Sequence, residues 1–175
     1  MLNQRLRVHS DNTIMSFMDI IENSVEDRLI EKIFVIANAN PRDLWHIWHE
    51  IFRAQYRTNY NSRKIGSDAI IDALEKFVTK FDFYEYYPRK KDARQNSNDV
   101  YSYVQHLLKL SDEKFTHNQL KNEASTGGST RNYITGMQNI GLVKKMPQKR
   151  DGSVLYCIKD PKVIYALKNK LDIDK

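Results

Sequence analysis

The sequence predicts a mainly α-helical chain that ends in a small β-hairpin. Apolar residues recur at three- and four-residue spacing through Leu110, as helices buried on one face require. Thr126-Gly127-Gly128-Ser129 then separates two short helical patterns, and Asp151-Gly152 sits between two strand-like runs. From Phe115 to Pro161 the order is therefore helix, glycine turn, helix, strand, charged hairpin, strand. That is the outline of a winged helix-turn-helix. The expected organisation is a helical bundle over residues 1–82, a linker over 83–98, the winged helix over 99–160 and a C-terminal helix or tail over 161–175.

In the bundle, Ile14 to Ile21 suggests one short helix. Ser24-Val25-Glu26-Asp27 opens another, with Leu29, Ile30, Ile33, Phe34 and Ile36 on its apolar side. Asn40-Pro41-Arg42-Asp43 starts the next: Asn caps, Pro takes the first helical position, and Asp lies in the first turn. Leu44, Ile47, Trp48, Ile51 and Phe52 form its broad apolar face. After a polar break, Ser67 caps a helix with Ile70, Ile71, Leu74, Phe77, Val78 and Phe81 spaced for burial. Tyr84, Tyr86 and Tyr87, followed by Pro88 and Arg89-Lys90-Lys91, read as a linker. Ser97 or Asn98 then caps a helix reaching Leu110, with Val100, Tyr103, Val104, Leu107 and Leu108 inward.

Thr116-His117-Asn118-Gln119 has the form of a reciprocal capping box. The glycine pair supplies the positive φ of a tight inter-helix turn. Ser129 caps a helix to about Asn139, and Gly141 ends it. On that helix Tyr133, Ile134, Met137 and Ile140 share one face. Arg131, Asn132, Thr135, Gln138 and Asn139 share the other. Such a division suits a recognition helix, since Arg matches guanine bidentately and Asn or Gln matches adenine. Arg131, Asn132, Thr135 and Gln138 are the expected base-facing residues. Gly136, at the edge of this face, leaves room for a backbone or a phosphate. Leu142 to Met146 and Val154 to Ile158 are the expected strands. Ser129, Lys144, Lys145, Lys149 and Arg150 are the expected phosphate contacts.

Charge agrees with that placement. Residues 111–175 hold 12 Lys/Arg against 7 Asp/Glu, a surplus of five within a net charge of +6, so double-stranded DNA is the expected partner. Cys157 is the one cysteine, which excludes a disulfide framework and a thiolate metal cluster. No apolar run has the length of a membrane span and no signal-peptide core is visible, so a cytoplasmic setting and no membrane partner are expected. His46, His49 and Glu50 lack the spacing and third ligand of zinc motifs, so no metal is expected. No catalytic set has support in the sequence.

Ile33 to Phe52, centred on Ala37-Asn38-Ala39-Asn40-Pro41-Arg42-Asp43-Leu44, resembles the lid region of P-loop NTPases of the AAA+ and STAND type, in which a winged helix often follows. The resemblance makes the bundle lid-like and implies that Arg42 is the sensor arginine approaching the terminal phosphate of a nucleotide. The chain has no Gly-Lys dipeptide, so the phosphate-cradling loop is absent and no cofactor is expected in this chain. ATP and magnesium enter only if a nucleotide-binding domain precedes it or acts in trans. The function so implied is that of the C-terminal region of an ATPase, coupling nucleotide state to DNA binding, with a homo-oligomer as a further expectation. Two alternatives stay open: a self-standing transcriptional regulator with a helical dimerisation domain, and a protein-interaction winged helix without a nucleic-acid role.

Overall fold

Asn40 Oδ1 accepts from the amides of Arg42 (2.8 Å) and Asp43 (3.4 Å), so the Asn-Pro start launches a helix where expected. The structure, a computed structural model, describes residues 2–87 and 99–173. It is mainly helical with a small three-stranded antiparallel sheet, and it divides into two compact units, Met1–Phe77 and Val78–Lys175.

The first unit contains α1 (Leu2–His9), α2 (Asp27–Ala37), α3 (Pro41–Thr58) and most of α4 (Ser67–Thr79). Its core is Ile33, Ile36, Ile47, Trp48, Ile51, Ile70 and Leu74. Several local expectations are corrected. Ile14 to Ile21 holds only a 3-10 turn at Phe17–Ile20, closed by reciprocal hydrogen bonds of Ser16 and Asp19. Ile21 leaves it extended and forms a parallel bridge with Ile65. Ser24 does not cap α2; its hydroxyl donates to Glu22 Oε2 (3.3 Å), and Glu26 stands at the cap without a side-chain bond. Phe34, Phe52 and Ile71 face outward, because Ile33, Ile36, Ile47, Trp48, Ile51 and Ile70 already fill the inner stripe of each helix.

In the second unit, α5 (Val100–Leu107), β1 (Lys114–Thr116), α6 (His117–Glu123), α7 (Thr130–Asn139), β2 (Val143–Arg150), β3 (Ser153–Ile158) and α8 (Pro161–Asn169) follow in order. Both strand pairs are antiparallel, in the order β1-β3-β2. Asp151 and Gly152 form the two-residue turn between β2 and β3, with φ of 50° and 73°, which right-twisted strands favour. β1 has no counterpart in the sequence reading, since three residues carry no periodicity of their own.

Residues 83–87 are not a linker. Phe83 is fully buried with its ring 5.9 Å from Tyr101, and Tyr84 donates to Asp99 Oδ2 (2.7 Å). Rings packed edge to face in this way belong to the core and not to an open connection. Pro88, the basic run Arg89-Lys90-Lys91 and the proposed caps Ser97 and Asn98 lie outside the described residues; Asp99 is the observed N-cap of α5. Of the helix or tail expected over 161–175, the helix α8 is what forms. Val163 and Ala166 on α8 are fully buried, and Asp160 caps it by accepting from the amides of Lys162 (2.8 Å) and Val163 (3.4 Å).

Candidate nucleic-acid interface

Thr116 and Gln119 form the expected capping box: Thr116 Oγ1 accepts from Gln119 N (3.3 Å) and Gln119 Oε1 from Thr116 N (2.9 Å). α6 is thereby fixed at its start. The turn that follows is held by two buried hydroxyls. Thr126 Oγ1 lies 2.7 Å from Thr130 Oγ1, and Thr130 donates to Gly127 O (2.7 Å), with Gly127 at φ 57°. Ser129 is exposed and stands at the N-cap of α7 as expected, but its side chain makes no capping bond; the threonine pair holds the turn and α7 begins at Thr130.

On α7 the division of faces is as the spacing requires. Thr130, Ile134 and Met137 are buried, while Arg131, Asn132, Thr135, Gln138 and Asn139 are exposed. The exposed side chains make no hydrogen bond or ion pair among the described residues, so their donors are available. Gly136 is the exception to the expectation. It faces Tyr103 of α5 rather than open space: a Cβ there would lie 2.7 Å from Tyr103 Cζ and nearer still to its Oη. The space above Gly136 is therefore already filled by the protein. Beside it, His106 of α5 meets the Tyr133 ring edge-on at 4.5 Å.

The hairpin presents its cations from an edge strand. Lys144, Lys145 and Lys149 are exposed on β2, and the ladder is irregular between Lys145 and Lys149, where Pro147 lacks an amide to pair. Lys144 and Lys114 flank Cys157 from the two sides in register, which adds exposed Lys114 to this surface. The sequence offered no cue to Lys114, because β1 exists only through its pairing with β3. Arg150 is half-buried and engaged. It donates to Lys114 O (3.3 Å) and Gln119 Oε1 (3.5 Å) and pairs with Asp112 (3.5 Å), so it braces β2 against β1 and α6. From Ala124 to Arg150 there are five cations and no carboxylate.

In the first unit, Arg42 lies exposed on the first turn of α3. His46 and His49 are exposed on the same helix, while Glu50 is ion-paired with Lys76 and with Arg53 (3.1 Å). Among the described residues no group of three or more His, Cys, Asp or Glu could hold a metal ion, and no helix is long and apolar enough to cross a membrane. Comparison with family models, curated proteins and solved structures finds no match to this chain.

Proposed function

We propose that residues 99–160 form a winged helix-turn-helix that binds double-stranded DNA in the cytoplasm, with α7 in the major groove and the β2–β3 hairpin on the flanking backbone. The reading is supported by the order α6, α7, β2, β3, in which two helices joined by a tight glycine turn precede a two-stranded hairpin. The observation that carries the reading is the acid-free run from Ala124 to Arg150, whose polar side chains on α7 are exposed and unengaged. Arg131, Asn132, Thr135 and Gln138 then read base edges, and Ser129, Lys144, Lys145 and Lys149 meet phosphates. Arg150 acts on the hairpin's position through Asp112 and contributes less to the backbone contact.

Coupling to ATP is the outer part of the proposal. It rests on the Asn40-Pro41-Arg42 start of α3 and requires a nucleotide-binding domain upstream or in trans. DNA binding by this chain is independent of it.

The test is binding of a fluorescent duplex across a salt series. Each lysine in contact contributes about −0.9 to the slope of log K against log salt, so three give a slope near −3. Lys149→Ala weakens all duplexes alike, whereas Arg131→Ala removes preference at one base position. Binding that ignores both substitutions means that α7 and the hairpin serve a protein partner instead.

A further inference from the structure

A cleft of about 530 Å³ opens in the first unit beside the C-terminal half of α3, and its lining includes Phe52, Arg53, Tyr56, Arg57, Tyr60 and Arg63. Phe52, Tyr56 and Tyr60 recur at four-residue spacing, which aligns them along α3 and its exit. Tyr56 is 71% and Tyr60 72% exposed, with ring centroids 6.4 Å apart. Rings this open contribute little to the core, and adjacent exposed aromatics mark a contact surface rather than scattered apolar residues.

The walls are cationic. Arg53, Arg57, Arg63 and Lys64 line the cleft, and no carboxylate does. Arg53 is shared with Glu50, whereas Arg57, Arg63 and Lys64 make no side-chain ion pair among the described residues. The segment carrying Arg63 and Lys64 is fastened rather than loose. Ser62 Oγ donates to Lys64 O (2.7 Å), Gly66 N donates to Gln55 Oε1 (3.1 Å), and Ile65 N donates to Ile20 O (2.8 Å). The backbone that carries Arg63 and Lys64 is thus fixed beside the aromatic pair before any ligand arrives, which lowers the ordering cost of binding.

We propose that this cleft binds single-stranded nucleic acid, with unpaired bases stacked on Tyr56 and Tyr60 and the backbone phosphates met by Arg57, Arg63 and Lys64. Stacking needs a base whose face is free, which a duplex hides, and the cations supply the attraction for the chain that carries it. An acidic protein segment shares the charge but gains nothing specific from two open rings. The cleft lies wholly within residues 1–77, so the proposal is independent of α7 and the hairpin.

The experiment uses the full chain and a fluorescein-labelled oligothymidylate of about a dozen nucleotides, read by anisotropy. Binding is expected with a salt slope near −2, from about 0.7 for each of the three cations Arg57, Arg63 and Lys64 on a single strand. The paired change Tyr56→Ala, Tyr60→Ala weakens it by about thirtyfold or more, one stacked base being lost at each ring, whereas Tyr56→Phe, Tyr60→Phe stays within about twofold because the ring faces remain. Arg57→Gln and Arg63→Gln each reduce the slope by about 0.7. Both tyrosines are exposed, and an unchanged circular dichroism spectrum confirms folding in each variant. The proposal is overturned if the alanine pair binds as well as the parent. It is equally overturned if Arg131→Ala, Lys149→Ala abolishes oligothymidylate binding while the tyrosine changes do not, an outcome that leaves the duplex reading standing. Displacement by polyglutamate at matched charge, with the tyrosines irrelevant, makes the cleft a plain cation patch and also overturns it.

Discussion

Tyr103 of α5 closes over Gly136 of α7, so that its phenol fills the space a β-carbon would need. The ring is buried and also meets Tyr133 edge-on at 6.2 Å. α5 therefore supports α7 at close range, and the missing side chain serves the protein's own packing. A substitution at Gly136 separates two opposed effects. Alanine gains about 1 kcal/mol of helix propensity over glycine, while overpacking costs about 1–3 kcal/mol. The second prevails because the clash is with a buried ring flanked by Tyr133. Gly136→Ala should lower the urea midpoint of the second unit, and Tyr103→Leu in the same chain should restore part of the loss. A midpoint raised by Gly136→Ala would show that the two helices are not in this contact.

Arg150 offers a contrast with the lysines of the same strand. Its pair with Asp112 is half-exposed, worth about 0–1 kcal/mol, so Arg150→Ala should change stability little. Its guanidinium is already committed to Asp112, Lys114 O and Gln119. Lys145→Ala or Lys149→Ala should therefore reduce the duplex salt slope by about 0.9 each, and Arg150→Ala by clearly less. Equal losses at all three positions would mean that Arg150 leaves Asp112 when DNA binds.

Asp160 joins the aromatic segment to α8. It is buried, caps the helix through Oδ1 and accepts from Tyr87 Oη at Oδ2 (2.9 Å). Burial first, then the Asp160 charge and hydrogen bond, push the Tyr87 phenol far above its usual range, so it stays a donor. The next side chain, Lys162, is buried with its ammonium 4.3 Å from the Phe81 ring centre and 5.0 Å from that of Tyr86. Asp160→Ala should cost about 2 kcal/mol or more by removing a cap and orphaning Tyr87, and Tyr87→Phe about 1 kcal/mol. Chemical unfolding of the two variants checks the order. A larger loss at Tyr87 than at Asp160 would contradict it.

His106 gives the second unit a dependence on pH. Burial, with Lys109 adding, holds its imidazole below the ordinary histidine value, and its buried Nδ1 has no partner. The unfolded chain thus takes up a proton first as pH falls. The contribution is fully present above the unfolded value of about 6.5 and is lost as pH drops through the native one. Unfolding midpoints taken at about pH 7 and about pH 5.5 should show a fall that His106→Gln abolishes. A fall of the same size in that variant would assign the effect to other groups.

Local rules were the readable part of this chain. Asn40-Pro41, Thr116 to Gln119 and Asp151-Gly152 each close a hydrogen bond or a turn within a few residues, and the structure has all three. Features that depend on distant partners were not readable. β1 needs β3, separated from it by two helices and β2, and Gly136 needs Tyr103. The tyrosines after Phe83 resemble an open linker until Tyr101 and Asp160 are brought to them. The aromatic cleft escaped for another reason. Arg57 lies at the end of α3 while Arg63 and Lys64 lie in the polar break after it, and only the fold sets them around one cleft.

Backbone amide shifts of the isotope-labelled chain titrated with a short duplex locate the bound DNA residue by residue. Changes should concentrate on the exposed face of α7, at Arg131, Asn132, Thr135 and Gln138, and along the hairpin from Lys144 to Lys149. Duplex binding that leaves those amides unmoved, or no binding at low salt, would contradict this interface.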